Sequence, residues 1–255
     1  MTSCELPSHE VAVFSTRAPY REEDSHNEDA AAVVIASPNS MLLMVADGVG
    51  GYPSGDKASE LTVKTIAAQI AERPRDEMRD VILSAIEEAN GRLIEGGAGS
   101  ATTLALVEIN NTTVRPYHVG DSVVMMVGQR GKLKLETVSH SPVGYAVEAG
   151  ILSEAEGFKH EDRHLVSNIV GTPGMHVTMG MPYAMAKFDT LLLATDGLFD
   201  NLPRNRIIDT IRHGDLERSA NALAKSAWDK MTEPSGNGKP DDLTFVLFRR
   251  KRNEN

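Results

Sequence analysis

Apolar residues along the chain follow a strand-like pattern in some stretches and a helical pattern in others. Short apolar runs predict three strands near the N-terminus, over residues 11–15, 31–36 and 41–46. Apolar residues then recur at helical spacing through 63–71 and 78–89, which predicts two consecutive helices. The order then repeats: strands are predicted over 102–109, 114–119, 123–127, 133–138 and 190–195, helices over 207–211 and 220–231, and a last strand over 243–248.

The helices therefore come in pairs that are separated by runs of strands. This order differs from the regular alternation of a parallel α/β sheet. It predicts an α+β fold, a four-layer αββα sandwich of two antiparallel sheets with a pair of helices outside each sheet, because that arrangement buries all four apolar helix stripes. No linker divides the chain, so we expect one domain over residues 1–255, with an irregular segment at about 139–183 and a short basic tail at 249–255.

Composition and charge narrow the function classes. The chain has 255 residues, a formal net charge of −10 and one cysteine. Negative charge makes nucleic acid a poor partner, and a single cysteine excludes internal disulfides and multi-thiolate metal sites. The first residues lack the basic and apolar regions of a signal peptide, and no apolar run is long enough to cross a bilayer. We therefore expect a cytoplasmic protein with no membrane partner, and a monomer.

Acidic residues occur repeatedly where predicted strands begin or end. They are Glu28, Asp29, Asp47, Asp121, Asp196, Asp241 and Asp242. A carboxylate beside a buried strand is costly unless it is paired or metal-bound. Since no matching set of lysines or arginines flanks these positions, a cluster of them would need cations, and carboxylates favour hard ions such as Mg²⁺, Mn²⁺ or Ca²⁺.

The order of several short motifs carries a family resemblance. The motifs are Asn27-Glu28-Asp29, Ala46-Asp47-Gly48-Val49-Gly50-Gly51, Gly55-Asp56-Lys57-Ala58-Ser59, Ser100-Ala101-Thr102-Thr103, Val119-Gly120-Asp121-Ser122, Ala194-Thr195-Asp196-Gly197-Leu198-Phe199-Asp200 and Asp241-Asp242-Leu243-Thr244. Each is weak alone. As an ordered set from about residue 13 to 248, they resemble the metal-dependent protein phosphatases, the PPM or PP2C-like family.

The resemblance implies an enzyme that hydrolyses phosphoserine and phosphothreonine on proteins, by a hydroxide that bridges two Mn²⁺ or Mg²⁺ ions. It implies that Asp47, Asp196 and Asp241 form the catalytic centre. By position, Asp47 would bridge both ions, and Asp196 with Asp241 would hold the first.

The resemblance assigns the remaining acidic positions too. Glu28 and the Gly48 carbonyl would hold the second ion. In bacterial relatives a third, weaker ion uses the aspartate that matches Asp121, shared with the one that matches Asp196. Asp29 would orient ligands or waters, and Asp242 is the alternative to Asp241 as ligand.

The chain departs from the family pattern at the position that contacts the substrate phosphate. Many members have an arginine four residues before the Glu28 position, and here that residue is Asp24. Arg17, Arg21 and His26 are the nearby candidates for phosphate binding. The missing arginine keeps open a non-catalytic alternative, a pseudophosphatase that binds a phosphoprotein partner.

A second motif has a competing interpretation. His160-Glu161-Asp162-Arg163-His164 matches the H-E-x-x-H signature of zinc proteases, with His176 as a weak third ligand. No long apolar helix surrounds it, and the resemblance places a similar His-x-x-Arg in the family's flap. We therefore expect 139–183 to be a flap over the substrate site, with Ser141, Gly144 and His160 near that site or acting as capping residues.

Overall fold

The computed structural model describes residues 2–6, 9–20, 25–49, 54–73, 77–234 and 238–251. Twelve strands lie in this part of the chain: β1 (Thr2–Leu6), β2 (His9–Thr16), β3 (Asp29–Ser37), β4 (Ser40–Asp47), β5 (Leu104–Asn110), β6 (Thr113–Val119), β7 (Val123–Val127), β8 (Leu133–Glu136), β9 (Thr178–Met179), β10 (Tyr183–Ala184), β11 (Thr190–Ala194) and β12 (Leu243–Arg250). They form one sheet in the order β1-β2-β12-β11-β7-β8 and a second in the order β10-β6-β5-β4-β3, to which β9 adds at β6. All strand pairs in the described residues are antiparallel.

Two pairs of helices cover the outer faces of the sheets, α1 with α2 and α6 with α7. The α-helices of the described residues are α1 (Gly55–Glu72), α2 (Met78–Glu95), α3 (Pro142–Glu148), α4 (Glu154–Lys159), α5 (Asp196–Phe199), α6 (Arg204–Ile211) and α7 (Leu216–Met231). The apolar stripes of α1 and α2 share one core with β4, β5 and β6, and those of α6 and α7 share another with β2, β7, β11 and β12. The predicted four-layer sandwich is confirmed.

A third core lies between the sheets, and β4 shows how one strand serves two cores. Leu42 and Met44 pack towards α1 and α2, whereas Leu43 and Val45 pack towards the other sheet. All four side chains are fully buried. A strand that is covered on both faces has no polar alternation, which explains the continuous apolar run at 41–46.

Three parts of the structure differ from the expectation. Strand β1 was not predicted. The segment predicted to be irregular contains α3, α4, a 3-10 helix (Glu161–His164) and the short strands β9 and β10. Both strands pair with β6, which attaches the segment to the second sheet. The prediction of a basic tail from residue 249 is wrong for the first two residues, because Arg249 and Arg250 belong to β12. Arg249 donates hydrogen bonds to Ile211 O at 2.8 Å and to Thr190 Oγ1.

The structure also bears on membrane insertion. In the described ranges, none of the helices combines the length and the apolar character that a bilayer span requires.

Candidate metal centre

Two carboxylates face each other at the open end of the β3–β4 hairpin. Asp29 begins β3, Asp47 ends β4, and they are partners in the antiparallel register. The backbone at Asp47 is fixed from the neighbouring strand entry, because its carbonyl accepts hydrogen bonds from Thr103 N at 2.8 Å and from Thr102 Oγ1 at 2.7 Å. Thr195, which follows β11 in the other sheet, donates to Asp29 Oδ2 at 2.9 Å. The site therefore lies where the two sheets meet.

The predicted acidic residues gather around Asp47. Burial raises the pKa of Asp47 well above its ordinary value, and the charges of Asp29, Asp196, Asp121 and Asp241 raise it further. Burial also raises the pKa of Asp29, whose Oδ1 is buried without a hydrogen-bond partner. Carboxylates that are distant in the sequence thus lie close enough to repel one another, and this is the pattern expected of a cation site.

Glu28 and the Gly48 carbonyl lie together beside α1. A methyl group on Gly55, the first residue of that helix, would lie 2.7 Å from Glu28 Oε1 and 3.2 Å from Gly48 O. Gly48 N also donates to Glu28 O at 3.0 Å. The two oxygens proposed for a second ion therefore border the same small space, which a side chain at residue 55 would fill.

The adjacent residues Asp241 and Asp242 have different environments. Asp242 is buried and accepts from Ala18 N through Oδ1 and from Glu28 N through Oδ2, both at 2.7 Å. Asp241 lies in the acidic cluster, where burial and the charge of Asp196 raise its pKa to about 6. Asp242 is thus occupied by backbone donors, and Asp241 is the one that faces the cluster.

Asp121 lies close enough to Asp200 to interact with its charge, and the sequence analysis assigned no role to Asp200. Burial, followed by the charges of Asp196 and Asp200, raises the pKa of Asp121 to about 8. Asp200 follows α5 and belongs to the cluster, and burial and Asp196 raise its pKa too. Its place in the motif that begins at Asp196 was the available signal, since residues at i and i+4 of a helical turn lie on one face.

One lysine lies among the aspartates, although no matching set of lysines or arginines was expected there. Lys239 Nζ lies 2.8 Å from Asp196 Oδ2, 2.7 Å from Asp200 Oδ2 and 3.1 Å from Asp241 Oδ2. Among the described residues no three acidic, histidine or cysteine side chains are arranged to hold an ion directly, and here three carboxylates surround an ammonium at hydrogen-bond distances instead. The cluster thus has the oxygen donors that a hard cation requires, spread around a positive charge of the chain itself.

The candidates for phosphate binding have varied positions. Arg17 donates from Nη1 to Ser25 O at 3.0 Å, which ties it to the segment before Glu28. His26 is exposed. Arg21 lies outside the described residues, as does Asp24.

The candidate residues of the flap mainly cap the short helices of that segment. Ser141 caps the N-terminus of α3, where its Oγ accepts from Gly144 N at 2.9 Å, and His160 Nδ1 accepts from Asp162 N at the start of the 3-10 helix. Arg163 reaches the cluster, with Nε 3.2 Å from Asp200 Oδ1.

The structure does not support the zinc-protease interpretation of the H-E-x-x-H motif. A zinc protease presents its two histidines on one face of an α-helix, whereas His160–His164 spans a short 3-10 helix and its N-cap. His176, the weak third ligand, instead packs against His140, with ring centroids 5.0 Å apart and the rings tilted by 35°.

Comparisons with known proteins agree with this geometry. The chain is 26% identical over 235 residues to the serine/threonine phosphatase stp of Listeria welshimeri, covering 88% of this chain and 90% of the relative. It matches the structure of the S. agalactiae serine/threonine phosphatase with a TM-score of 0.82 and 27% identity, over 95% of this chain and 100% of the other. It also matches, with a TM-score of 0.78, 23% identity and coverage of 96% and 99%, the catalytic domain of the phosphatase PstP in complex with two manganese ions. The family model for protein phosphatase 2C matches residues 20–233, and the chain belongs to that family.

Proposed function

We propose that this chain is a metal-dependent protein phosphatase that hydrolyses phosphoserine and phosphothreonine. The observation that carries the proposal is the convergence of buried carboxylates where the two sheets meet: Asp29 lies opposite Asp47 on one hairpin, and burial with the charges of the neighbouring aspartates raises the pKa of Asp47. Lys239 neutralises only part of this negative charge, so the cluster favours a further bound cation. Family membership supplies the reaction class.

The donor set fits Mn²⁺ or Mg²⁺. Every donor in it is a carboxylate or carbonyl oxygen, which hard divalent ions prefer. Asp47, Asp196 and Asp241 would hold one ion, and Asp47, Glu28 and the Gly48 carbonyl the other. Asp121 with Asp196 would hold a weaker third. Bound there, such ions supply an acidified water and positive charge for the phosphoryl oxygens.

The chain's own residues fix these donors. Asp242 accepts from the backbone N–H groups of Ala18 and Glu28, so it fixes the backbone that carries the glutamate. Thr195 holds Asp29, whose buried free Oδ1 points to a bound water or ion ligand as its partner. These interactions would keep the ligands at spacing suited to in-line attack on phosphorus, where positioning and charge supply most of the rate.

Substrate and setting follow from the same proposal. The substrate is a phosphoprotein with phosphoserine or phosphothreonine, and the flap at 139–183 would shape access to it. Arg17, Arg21 and His26 remain predictions for the phosphate contact. A single domain over 1–255, a monomer, a cytoplasmic location and the absence of nucleic-acid and membrane partners also remain predictions.

The test is a phosphatase assay on a phosphothreonine peptide, with Mn²⁺, Mg²⁺, Zn²⁺ and chelator in parallel. We expect hydrolysis with Mn²⁺ or Mg²⁺ and none with chelator. Mn²⁺ binding without turnover on peptide or aryl phosphate would contradict catalysis and favour the phosphoprotein-binding alternative.

A further inference from the structure

The ammonium group of Lys239 lies inside the acidic cluster. Three carboxylate oxygens surround Nζ at 2.7–3.1 Å, one each from Asp196, Asp200 and Asp241. The ammonium donates hydrogen bonds to Asp196 Oδ2 and Asp200 Oδ2, and it forms an ion pair with Asp241. The side chain is about one-third exposed (32%). Lys239 therefore reaches into the cluster from its rim, and it is the cation on which these three carboxylates converge.

The backbone of Lys239 is fixed as firmly as its side chain. Lys239 N donates to Asn201 Oδ1 at 2.9 Å, and Asn201 Nδ2 donates back to Lys239 O at 2.8 Å. Asn201 is buried and also donates to Gly197 O at 2.9 Å, in the helix that Asp196 begins. The lysine is thus clamped to the element that carries two of its carboxylate partners, and its position results from built contacts.

The ammonium and a divalent ion would compete for the same oxygens. Asp196 and Asp241 are the ligands proposed for the first ion, whereas Asp200 is not in that set. Mg²⁺ binds oxygens at about 2.0–2.1 Å, well inside the 2.8 and 3.1 Å that separate these two residues from Nζ. A divalent ion on the same Oδ2 atoms would lie close to Nζ, and the two positive centres would repel each other. When an ion binds, Asp200 remains to hold the displaced ammonium.

We propose that Lys239 is an internal counter-ion of the metal centre: its ammonium occupies the Asp196–Asp241 face in the metal-free chain, and a divalent ion must displace it to bind there. This inference rests on the metal centre of the proposed function. It adds that the pocket is stabilised without metal and that the chain's affinity for metal is lowered by its own lysine.

The experiment compares Lys239→Met with Lys134→Met, a matched control. Lys134 Nζ pairs with the buried Asp189 at 2.7 Å, outside the cluster. The readouts are the Tm in chelator and the Kd for Mn²⁺ by calorimetry. We expect Lys239→Met to lower the metal-free Tm and to tighten Mn²⁺ binding by about tenfold. Lys134→Met should lower the Tm and leave the Kd unchanged.

A measurement on the unmodified chain decides the matter if Lys239→Met does not fold. The lysine ammonium signals are followed by NMR during a titration with Mg²⁺, with Lys239 assigned from its absence in Lys239→Arg. We expect the Lys239 signal to shift as Mg²⁺ binds and the Lys134 signal to stay. A Lys239 signal that saturating Mg²⁺ leaves unchanged would overturn the inference.

The two hypotheses fail differently. If the unmodified chain binds neither Mn²⁺ nor Mg²⁺, the metal centre and the proposed function are wrong. If it binds Mn²⁺, and Lys239→Met keeps the same Kd and the same metal-free Tm, only the counter-ion is wrong.

Discussion

Asp29 and Asp47 lie directly opposite each other across β3 and β4, and each has a pKa raised well above its ordinary value. Like charges at directly opposed strand positions destabilise a sheet. Burial increases that cost because it also removes water from both carboxyls. The hairpin therefore keeps a destabilising pair at one end, where the second sheet contributes further acidic residues.

The first prediction concerns Asp47→Asn. The variant should lose Mn²⁺-dependent hydrolysis of an aryl phosphate by well over the roughly 10–100-fold that outer-shell changes cost, because Asp47 is the proposed bridge between two ions. Its Tm in chelator should rise, since the change removes a charge that four neighbouring aspartates repel. Turnover and thermal unfolding are the measurements. Unchanged turnover would refute the assignment of Asp47 as a ligand.

The second prediction separates Asp241 from Asp242. Asp242→Ala removes the acceptor of two backbone N–H groups, the buried one of Ala18 and the part-buried one of Glu28. At about 1–3 kcal/mol for each group, the free energy of unfolding should fall by about 2–6 kcal/mol. Asp241→Asn should leave the Tm in chelator equal or higher, because it removes a carboxyl whose pKa the cluster raises.

Calorimetry with Mn²⁺ completes that comparison. We expect Asp241→Asn to abolish binding of one ion and Asp242→Ala, where folded, to retain both. The reverse pattern would make Asp242 the ligand and Asp241 the structural residue.

The third prediction concerns pH and His140. Its Nδ1 accepts from Gly120 N at 3.1 Å and lies 2.8 Å from Asn168 Nδ2, and its Nε2 lies 2.9 Å from Thr178 Oγ1. Burial, followed by the charges of His118 and His176, lowers its pKa to about 4. The folded chain thus needs the neutral ring, and that stabilisation is complete above the unfolded pKa of 6.5 and is lost as the pH falls towards 4.

His140→Ala should therefore cost about 1–3 kcal/mol at pH 7, and the difference from the unmodified chain should narrow at pH 4.5. Urea unfolding in chelator at both pH values measures it. His213→Ala, which changes an exposed ring, should stay within about 0.5 kcal/mol. A difference that widens in acid would show that His140 is charged in the folded state.

The fourth prediction concerns Asp121→Ala. Since Asp121 is proposed for the third, weaker ion, the variant should raise the Mn²⁺ concentration for half-maximal activity by about 10–100-fold. Asp209→Ala removes an exposed carboxylate that pairs with Arg212, and it should not change the titration. An unaltered Mn²⁺ titration in Asp121→Ala would remove the third ion from the account.

The layers could be predicted from the sequence because strands that are covered on both faces appear as continuous apolar runs. The apolar run that ends at Ala46 and the helical stripe from Met78 needed no tertiary information. Asp47 and Asp196 follow strands of different sheets, β4 and β11, and their carboxyls come close enough to interact because the two sheets pack against each other.

Other features depend on contacts that no local pattern reveals. Lys239 comes from a loop, and only the fold brings its ammonium to Asp200. The flap helix α4 did carry a local signal, because Ser153 and Glu156 form a capping box. Arg249 looked like part of a solvated tail until strand pairing placed its guanidinium beside Thr190.

The most direct test is anomalous diffraction from crystals grown with Mn²⁺. We predict two manganese peaks, both bonded to Asp47, one completed by Asp196 and Asp241 and the other by Glu28 and the Gly48 carbonyl. Peaks elsewhere, or aspartates that point to separate places with no metal between them, would contradict the account.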